Sequence, residues 1–233
     1  RQLSIEGASI IMLSKHYIME KHIAEKLCAL KLSVPRLSPD VAGEIERFEK
    51  EKSIALHESQ KKAVETAVLG SVTVITGGPG TGKTTIVKCI LSAFLNTRQT
   101  VALCAPTGRA AKRLSEATGH EAKTIHRLLE LDFRNGQGVF TYGEQKKLEV
   151  DAVIVDEVSM VDEFVFSSLL KALKGGTRLI LVGDRNQLPS EGPGNVLSDI
   201  INSRQFTVIE LSHIYRQAEG SGIVMAAHKI NKG

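Results

Sequence analysis

Short apolar runs alternate with stretches of helical hydrophobic spacing along most of this chain of 233 residues. Five runs rich in aliphatic residues predict strands, at 72–76, 100–105, 151–156, 178–183 and 206–211. Apolar residues that recur every three or four positions predict helices at about 59–69, 84–95, 108–117, 162–173 and 195–202. Because strands and helices alternate, the pattern favours an α/β fold in which helices cover both faces of a parallel sheet.

The first 52 residues differ in pattern from the rest of the chain. A strand is predicted over Ser9–Leu13, and a charged helix over about 42–52. Between them, a predicted helix over about 14–31 carries an approximate apolar stripe formed by Ile18, Ile23, Leu27 and Leu30. We interpret residues 1–52 as a helical adaptor segment that packs on a core domain over residues 53–211. Farther along, Asn135-Gly136 predicts a turn inside Leu131–Tyr142, and therefore a small hairpin inserted before the strand at 151–156.

Composition sets modest limits on the class of protein. An apolar content of 42% is enough for a full α/β core, and no apolar run approaches the length of a membrane span. Cys28, Cys89 and Cys104 are odd in number and share no ligand-like spacing, which speaks against a disulfide framework and a zinc site. The chain begins at Arg1 and shows no secretory leader. We therefore expect a segment excised from a longer, cytoplasmic protein.

Positive charge is concentrated in one part of the chain. The formal net charge of +4 is too small to indicate a nucleic-acid partner by itself. One stretch carries six basic and two acidic residues, and thus a formal +4 of its own: Arg98, Arg109, Lys112, Arg113, Lys123 and Arg127 against Glu116 and Glu121. This charge is compatible both with a nucleic-acid contact and with an ordinary solvated helix face.

Residues 77–85, Gly-Gly-Pro-Gly-Thr-Gly-Lys-Thr-Thr, fill the P-loop pattern of a glycine, four residues, Gly, Lys and Ser or Thr. A loop that wraps polyphosphate must aim successive backbone N–H groups inward, which requires positive φ and close approach, and glycine allows both. The motif predicts a nucleoside-triphosphate site formed by Gly77, Gly78, Pro79, Gly80, Thr81, Gly82, Lys83, Thr84 and Thr85. Lys83 is expected to contact the β- and γ-phosphates, and the Thr84 hydroxyl to bind Mg²⁺.

A pair of acidic residues follows the predicted strand at 151–156. The apolar run ends in Asp156, and Glu157 comes next. In a parallel sheet the carboxyl end of this strand opens at the edge where the P-loop lies. We predict that Asp156 holds the Mg²⁺ shell and that Glu157 orients and deprotonates the attacking water. The alternative for an isolated Asp-Glu pair is ordinary surface charge.

The loop after the strand at 178–183 offers a candidate sensor of the γ-phosphate. It reads Asp184-Arg-Asn-Gln187, and a neutral amide can contact phosphate without changing the charge balance. Gln187 is therefore a candidate catalytic residue, although a glutamine in a turn often has no function.

The ordered motifs resemble those of superfamily 1 DNA helicases of the RecD-like branch, the exodeoxyribonuclease V alpha-subunit family. The resemblance covers roughly residues 56–233, and its order makes coincidence implausible. The segments that carry it are Glu58–Ala63 (glutamine motif), Gly77–Thr85 (motif I), Ala105–Leu114 (Ia), Ala122–Leu129 (Ib), Asp156–Asp162 (II), Leu181–Ser190 (III) and Ile214–Ala218 (IV). It implies a RecA-like, three-layer P-loop NTPase domain over residues 53–211, with residues 212–233 beginning the connection to a second such domain.

The resemblance also implies ligands and roles for particular residues. ATP and Mg²⁺ would bind at the P-loop, Gln60 would read adenine, and Arg216 would reach the γ-phosphate. Single-stranded DNA would be held by its backbone through Thr107, Arg109, Lys112, Thr124 and His126. A histidine on an apolar segment such as His126 is, alternatively, often packed in a core. Glu191 departs from the family pattern, because a carboxylate there would repel DNA phosphate unless it faces solvent or pairs with Arg185.

The resulting hypothesis is the motor-domain fragment of an ATP-dependent DNA helicase that moves 5′ to 3′ on single-stranded DNA in repair or recombination. The sequence ends before motifs V and VI, so we expect a monomeric fragment that hydrolyses ATP poorly and does not unwind duplex. Other exodeoxyribonuclease V subunits are possible partners, and a membrane is not expected. Two alternatives stay open, namely a P-loop switch or remodelling ATPase without a nucleic-acid substrate, and a catalytically idle DNA-binding scaffold subunit of an exodeoxyribonuclease V-type complex.

Overall fold

The computed structural model describes residues 2–5, 8–33, 40–134 and 137–213, together with Ala226 and Ile230. In chain order the strands are β1 (Gln2–Ile5), β2 (Ala8–Ile11), β3 (Val72–Gly77), β4 (Val101–Ala105), β5 (Ala122–Thr124), β6 (Leu131–Arg134), β7 (Gln137–Phe140), β8 (Ala152–Val155), β9 (Arg178–Gly183) and β10 (Thr207–Leu211). The α-helices are α1 (Ser14–Leu32), α2 (Val41–Lys52), α3 (Glu58–Leu69), α4 (Lys83–Asn96), α5 (Gly108–Thr118), α6 (Ile125–Leu128), α7 (Glu163–Ala172) and α8 (Val196–Asn202). A 3-10 helix, Val158–Met160, follows β8.

A six-stranded sheet organises the fold, in the order β10-β3-β9-β8-β4-β5. Every neighbouring pair in it is parallel. The five strands predicted from the apolar runs are all present, and β5 is an addition. It was missed because Ala-Lys-Thr is short and has no apolar pattern. The position of β9 between β3 and β8 brings the carboxyl ends of these three strands side by side.

Helices cover both faces of this sheet. Alternate residues of each strand point to opposite sides, so Ile75 and Ile154 join the core under α2–α5, whereas Val74 and Val153 join the core under α1, α7 and α8. Both cores contain large side chains that are fully buried, such as Phe94 in the first. The predicted α/β, three-layer, RecA-like fold with a parallel central sheet is therefore confirmed.

The N-terminal helices pack on the two different faces of the sheet. Helix α1 lies against α7, where His16 hydrogen-bonds to Glu163. Helix α1 also contacts the segment between β7 and β8, since Lys26 Nζ lies 2.8 Å from Glu144 Oε1. Helix α2 packs on α3 and α4. The predicted stripe on α1 holds only in part, because Leu27 and Leu30 are buried and Ile18 is 62% exposed. None of the helices in the described ranges is both long and apolar enough to cross a membrane.

The predicted hairpin before β8 is present. Strands β6 and β7 pair antiparallel from Leu131–Phe140 to Arg134–Gln137, and the predicted turn at 135–136 lies outside the described residues. The strand predicted at Ser9–Leu13 is observed as β2, which ends at Ile11 and pairs antiparallel with β1. Helix α6 was not predicted, because it consists of only four residues.

Candidate nucleotide-binding site

The P-loop connects β3 to α4 at the carboxyl edge of the sheet. Gly80 and Gly82 have φ of 79° and 83°, in the left-handed region that only glycine adopts at little cost. Gly77 is required for space instead, since a Cβ there would lie 2.7 Å from Thr81 Oγ1 and 2.9 Å from Leu211 O. The Thr81 hydroxyl donates to the Gly78 carbonyl at 2.8 Å, which fixes the turn. The motif therefore adopts the shape that its glycines predict.

The Lys83 ammonium lies against this loop. Its Nζ donates to the carbonyls of Gly77 and Gly78 at 2.5 and 3.0 Å. Burial lowers the pKa of Lys83, and the negative charges of Asp184, Glu157 and Asp156 oppose that shift. Lys83 is thus within electrostatic reach of the predicted metal ligand Asp156, of the predicted catalytic residue Glu157 and of a third carboxylate, Asp184.

Asp156 and Glu157 follow β8 at the same edge. Burial, and then the negative charge of Glu157, raise the pKa of Asp156 from 3.8 to about 6. The backbone N–H of Glu157, which donates to Asp156 Oδ1 at 2.9 Å, and the positive charges of Lys83 and Arg113 counteract this. Glu157 has a φ of 55°, and its Oε2 is buried without a hydrogen-bond partner among the described residues. A strained backbone and an unsatisfied buried carboxylate together are features of functional sites.

A cavity of about 160 Å³ adjoins these carboxylates. It is lined by Thr84, Ala110, Arg113, Leu114, Ala117, Asp156 and Glu157. Hydroxyl and carboxylate oxygens are the ligands that Mg²⁺ prefers. The predicted metal ligands Thr84 and Asp156 therefore share one cavity, and their chemistry fits a Mg²⁺ ion bound with a nucleotide.

Two residues of this site were not predicted as part of it. Asp184 directly follows the strand β9, is only 3% exposed, and accepts a hydrogen bond from the Asn186 N–H at 3.0 Å. Arg113 lies on α5 and lines the cavity. Both lie in segments that carry the family resemblance, but their position beside the P-loop depends on the strand order and the helix placement, which the sequence does not give.

The two predicted glutamines make internal contacts. Gln60 is 2% exposed; its Oε1 accepts from the His57 N–H at 3.1 Å, and its Nε2 donates to the Thr81 carbonyl at 3.2 Å. It thereby ties the start of α3 to the P-loop. Gln187 is exposed, and its Oε1 accepts from the Ser159 hydroxyl at 3.2 Å, which links the loops after β8 and β9. The predicted contacts of both glutamines with nucleotide stay predictions, and Arg216, with the rest of Ile214–Ala218, lies outside the described residues.

The predicted DNA contacts lie next to this site at the same edge. Thr107, after β4, caps α5 by accepting from the Ala110 N–H, and Thr124, at the end of β5, caps α6 in the same way. Arg109 and Lys112 are exposed on α5. His126 is half-buried, and its ring centroid lies 5.9 Å from that of Phe140. The five predicted residues are thus neighbours along β4, β5 and their following helices, and their contact with DNA stays a prediction.

Two features modify the charge of this surface. Lys112 Nζ lies 3.9 Å from Glu116 Oε1, and Lys123 Nζ lies 3.7 Å from Glu121 Oε2. Part of the basic charge is therefore offset by neighbouring carboxylates. Glu191 is exposed and forms no ion pair with Arg185. Glu191 therefore faces solvent, which is one of the two arrangements expected to limit its repulsion of DNA phosphate.

Comparison with known proteins places the chain in a family. Residues 60–193 match the family described as AAA domain. The ATP-dependent RecD2 DNA helicase of Deinococcus radiodurans is 39% identical over 178 residues, which cover 76% of this chain and 24% of that protein. The RecBCD enzyme subunit RecD of Mycolicibacterium smegmatis is 33% identical, with 91% of this chain and 42% of that protein covered. The chain therefore spans less than half the length of these relatives.

A solved structure agrees with the fold. The crystal structure of Pif1 helicase from Candida albicans superposes with a TM-score of 0.53 at 24% sequence identity, over 74% of this chain and 43% of that chain. The matched family model covers more than half of the chain, from Gln60 at the start of α3 to Pro193 before α8. The chain belongs to the AAA domain family, and its resemblance to the RecD-like superfamily 1 helicases is confirmed for the part that forms the first motor domain.

Proposed function

We propose that this chain is the ATP-hydrolysing first motor domain of a DNA helicase that moves on single-stranded DNA. The observation that carries the proposal is the position of the P-loop, Asp156, Glu157 and Asp184 at the carboxyl ends of three adjacent strands, where the negative charges of the carboxylates act on the Lys83 ammonium. Such a site supplies a cation for the β- and γ-phosphates, oxygen ligands for a metal and a base for water. Binding of a nucleotide without hydrolysis would not need Glu157.

This arrangement offers a residue for each step of ATP hydrolysis, from phosphate binding to the activation of water. The loop amides and Lys83 would bind the phosphates, whose oxygens replace the two loop carbonyls as acceptors of the ammonium. Thr84 and Asp156 would hold Mg²⁺, which when bound neutralises phosphate charge. Glu157 would orient the attacking water and accept its proton, since its Oε2 is buried near the site and has no partner among the described residues.

The DNA part of the proposal rests on the neighbouring surface. Thr107 and Thr124 lie at the same sheet edge as the nucleotide site, and Arg109 and Lys112 add exposed positive charge. Backbone contacts of this kind bind single-stranded DNA without choosing a sequence. The 5′-to-3′ direction and a role in repair or recombination are inferred from the RecD-like resemblance. Several relatives are named as RecBCD subunits, so we also propose that other exodeoxyribonuclease V chains can be partners.

ATP hydrolysis by the full-length protein, measured with and without single-stranded DNA, tests this function. We expect turnover that DNA stimulates, and its loss in Lys83→Ala. Lys88→Ala is the matched control, because it removes a lysine from the same helix, five positions beyond the P-loop lysine. ATP turnover that single-stranded DNA does not stimulate would favour a remodelling ATPase. Unchanged ATP turnover in Lys83→Ala would favour an idle scaffold. Either result contradicts the proposal.

A second measurement concerns residues 1–233 alone. A helicase motor needs two domains that close on ATP and reopen after hydrolysis, so that one DNA contact advances past the other. We therefore expect this segment to hydrolyse ATP poorly and to leave a forked duplex intact. Strand separation by this segment would contradict the two-domain mechanism.

A further inference from the structure

Helix α5 touches the nucleotide site with one face and presents the predicted DNA contacts on another. Its cavity-lining residues recur at the spacing i, i+3, i+4, i+7, which defines a single helix face: Ala110, Arg113, Leu114 and Ala117. Arg109, Lys112 and Glu116 lie beside this face and are exposed. One rigid helix is therefore shared by both sites.

On the cavity side, two groups of opposite charge have no hydrogen-bond partner among the described residues. Arg113 forms no hydrogen bond and no ion pair with any residue that the structure describes. Glu157 Oε2 is buried and likewise has no hydrogen-bond partner in the described ranges. Both residues line the same cavity, beside Thr84 and Asp156. A guanidinium is the side chain that best satisfies a carboxylate, because its N–H groups can hold both oxygens in a fixed plane.

We propose that Arg113 is a positioning residue, which orients the Glu157 carboxylate toward the attacking water when DNA binds along α5. This inference rests on the proposed function, since it deepens the role of the same site. Glu157 has a left-handed backbone, and no residue that the structure describes holds its Oε2 by a hydrogen bond. Among the α5 residues that line this cavity, Arg113 is the one with a positive charge. Because Arg113 lies on the helix that Thr107 caps, any shift of α5 on DNA moves its guanidinium relative to Glu157.

The test is ATP hydrolysis by the full-length protein at saturating oligothymidylate. We expect Arg113→Gln to lower kcat on the order of 10- to 100-fold, as for a misplaced catalytic group. The KM for ATP and the oligothymidylate concentration for half-maximal stimulation should stay within about twofold, because the proposed role of Arg113 is exerted on Glu157 and not on either ligand. Arg113→Lys keeps the charge without the planar fork and should recover part of kcat. Arg47→Gln is the control, since Arg47 is also an exposed helical arginine and pairs with Glu44 far from the cavity.

A double-mutant cycle separates positioning from a general structural effect. If Arg113 acts through Glu157, Arg113→Gln should cost almost nothing further in a Glu157→Gln background. A full additional loss in that background would overturn the inference. So would an unchanged kcat, a raised KM for ATP at unchanged kcat, or faster turnover without DNA.

The failure of this inference differs from the failure of the proposed function. If DNA does not stimulate ATP turnover by the wild-type protein, the proposed function is overturned, and with it the DNA dependence assigned to Arg113. A DNA-stimulated wild type with an unaffected Arg113→Gln variant overturns the role of Arg113 alone. Since Arg113 is exposed, the variant should also melt at the wild-type temperature, which checks that it folds.

Discussion

Replacing Gly77 by alanine tests whether close packing at the end of β3 requires a glycine. The added Cβ would lie 2.7 Å from Thr81 Oγ1, 2.9 Å from Leu211 Cβ and 2.9 Å from Leu211 O. Leu211 pairs with Gly77 in the parallel register of β10 and β3. The obstacle thus includes backbone of a neighbouring strand, which cannot rotate away as a flexible side chain does.

Two opposing effects set the size of the change. Overpacking a filled site costs about 1–3 kcal/mol, through displaced side chains and backbone. Replacing glycine by alanine also restricts the unfolded chain, which stabilises the fold by about 0.4–1 kcal/mol. Gly77 has no positive φ, so no torsional penalty adds to the clash. We therefore expect Gly77→Ala to lower the free energy of unfolding by about 1–2 kcal/mol.

Urea-induced unfolding followed by circular dichroism, without nucleotide, measures this difference. Gly108→Ala is the matched control, because a Cβ at Gly108, in the first turn of α5, meets nothing within 4 Å. That variant should be as stable as the wild type or up to about 1 kcal/mol more stable. A Gly77→Ala protein as stable as Gly108→Ala would refute the argument from close packing.

Three further outcomes follow from the local environments of single residues. Because burial raises the pKa of Asp156 from 3.8 to about 6, its ionisation destabilises the fold progressively as the pH rises from about 4 to about 6, and fully above that. In EDTA and without nucleotide, Asp156→Asn should be more stable than wild type by about 1–3 kcal/mol at pH 7.5, and the difference in urea midpoints should vanish as the pH falls from 6 to 4. Asp162→Ala removes the N-cap of α7 and should cost about 1 kcal/mol in the same assay, whereas Asp162→Ser should cost less. A thiol reagent should label Cys28 rapidly in the native protein, and Cys89 and Cys104 only in denaturant. The reason is that Cys28 is exposed, whereas burial raises the pKa of the other two thiols. Rapid labelling of all three cysteines in the native protein would contradict the burial of Cys89 and Cys104.

The local parts of this structure were predictable from sequence. The predicted strand at 178–183 coincides with β9, and the predicted strand at 72–76 differs from β3 by one residue. Apolar runs of this kind form buried strands of a parallel sheet wherever helices flank them. The glycines of the P-loop were equally readable, because positive φ at Gly80 and Gly82 is a requirement that few other residues meet.

Contacts that depend on strand order were not predictable. Asp184 lies near Lys83 because β9 pairs with β3, and this pairing leaves no trace in either segment. The internal role of Gln60 was hidden for another reason. Its side chain completes a capping box with His57, and a histidine at the N-cap falls outside the Ser or Thr pattern by which such boxes are recognised.

The topology explains how the candidate nucleotide residues and the candidate DNA residues can influence one another. The candidate nucleotide residues follow β3, β9 and β8, and the candidate DNA residues follow β4 and β5, which continue the same sheet in order. Since all these strands are parallel, both groups of loops lie at one edge, and α5 spans the boundary between them. The loops after β8 and β4 belong to adjacent strands about 5 Å apart, so coupling between the two groups of residues can pass through a shift of α5 and needs no pathway through the core.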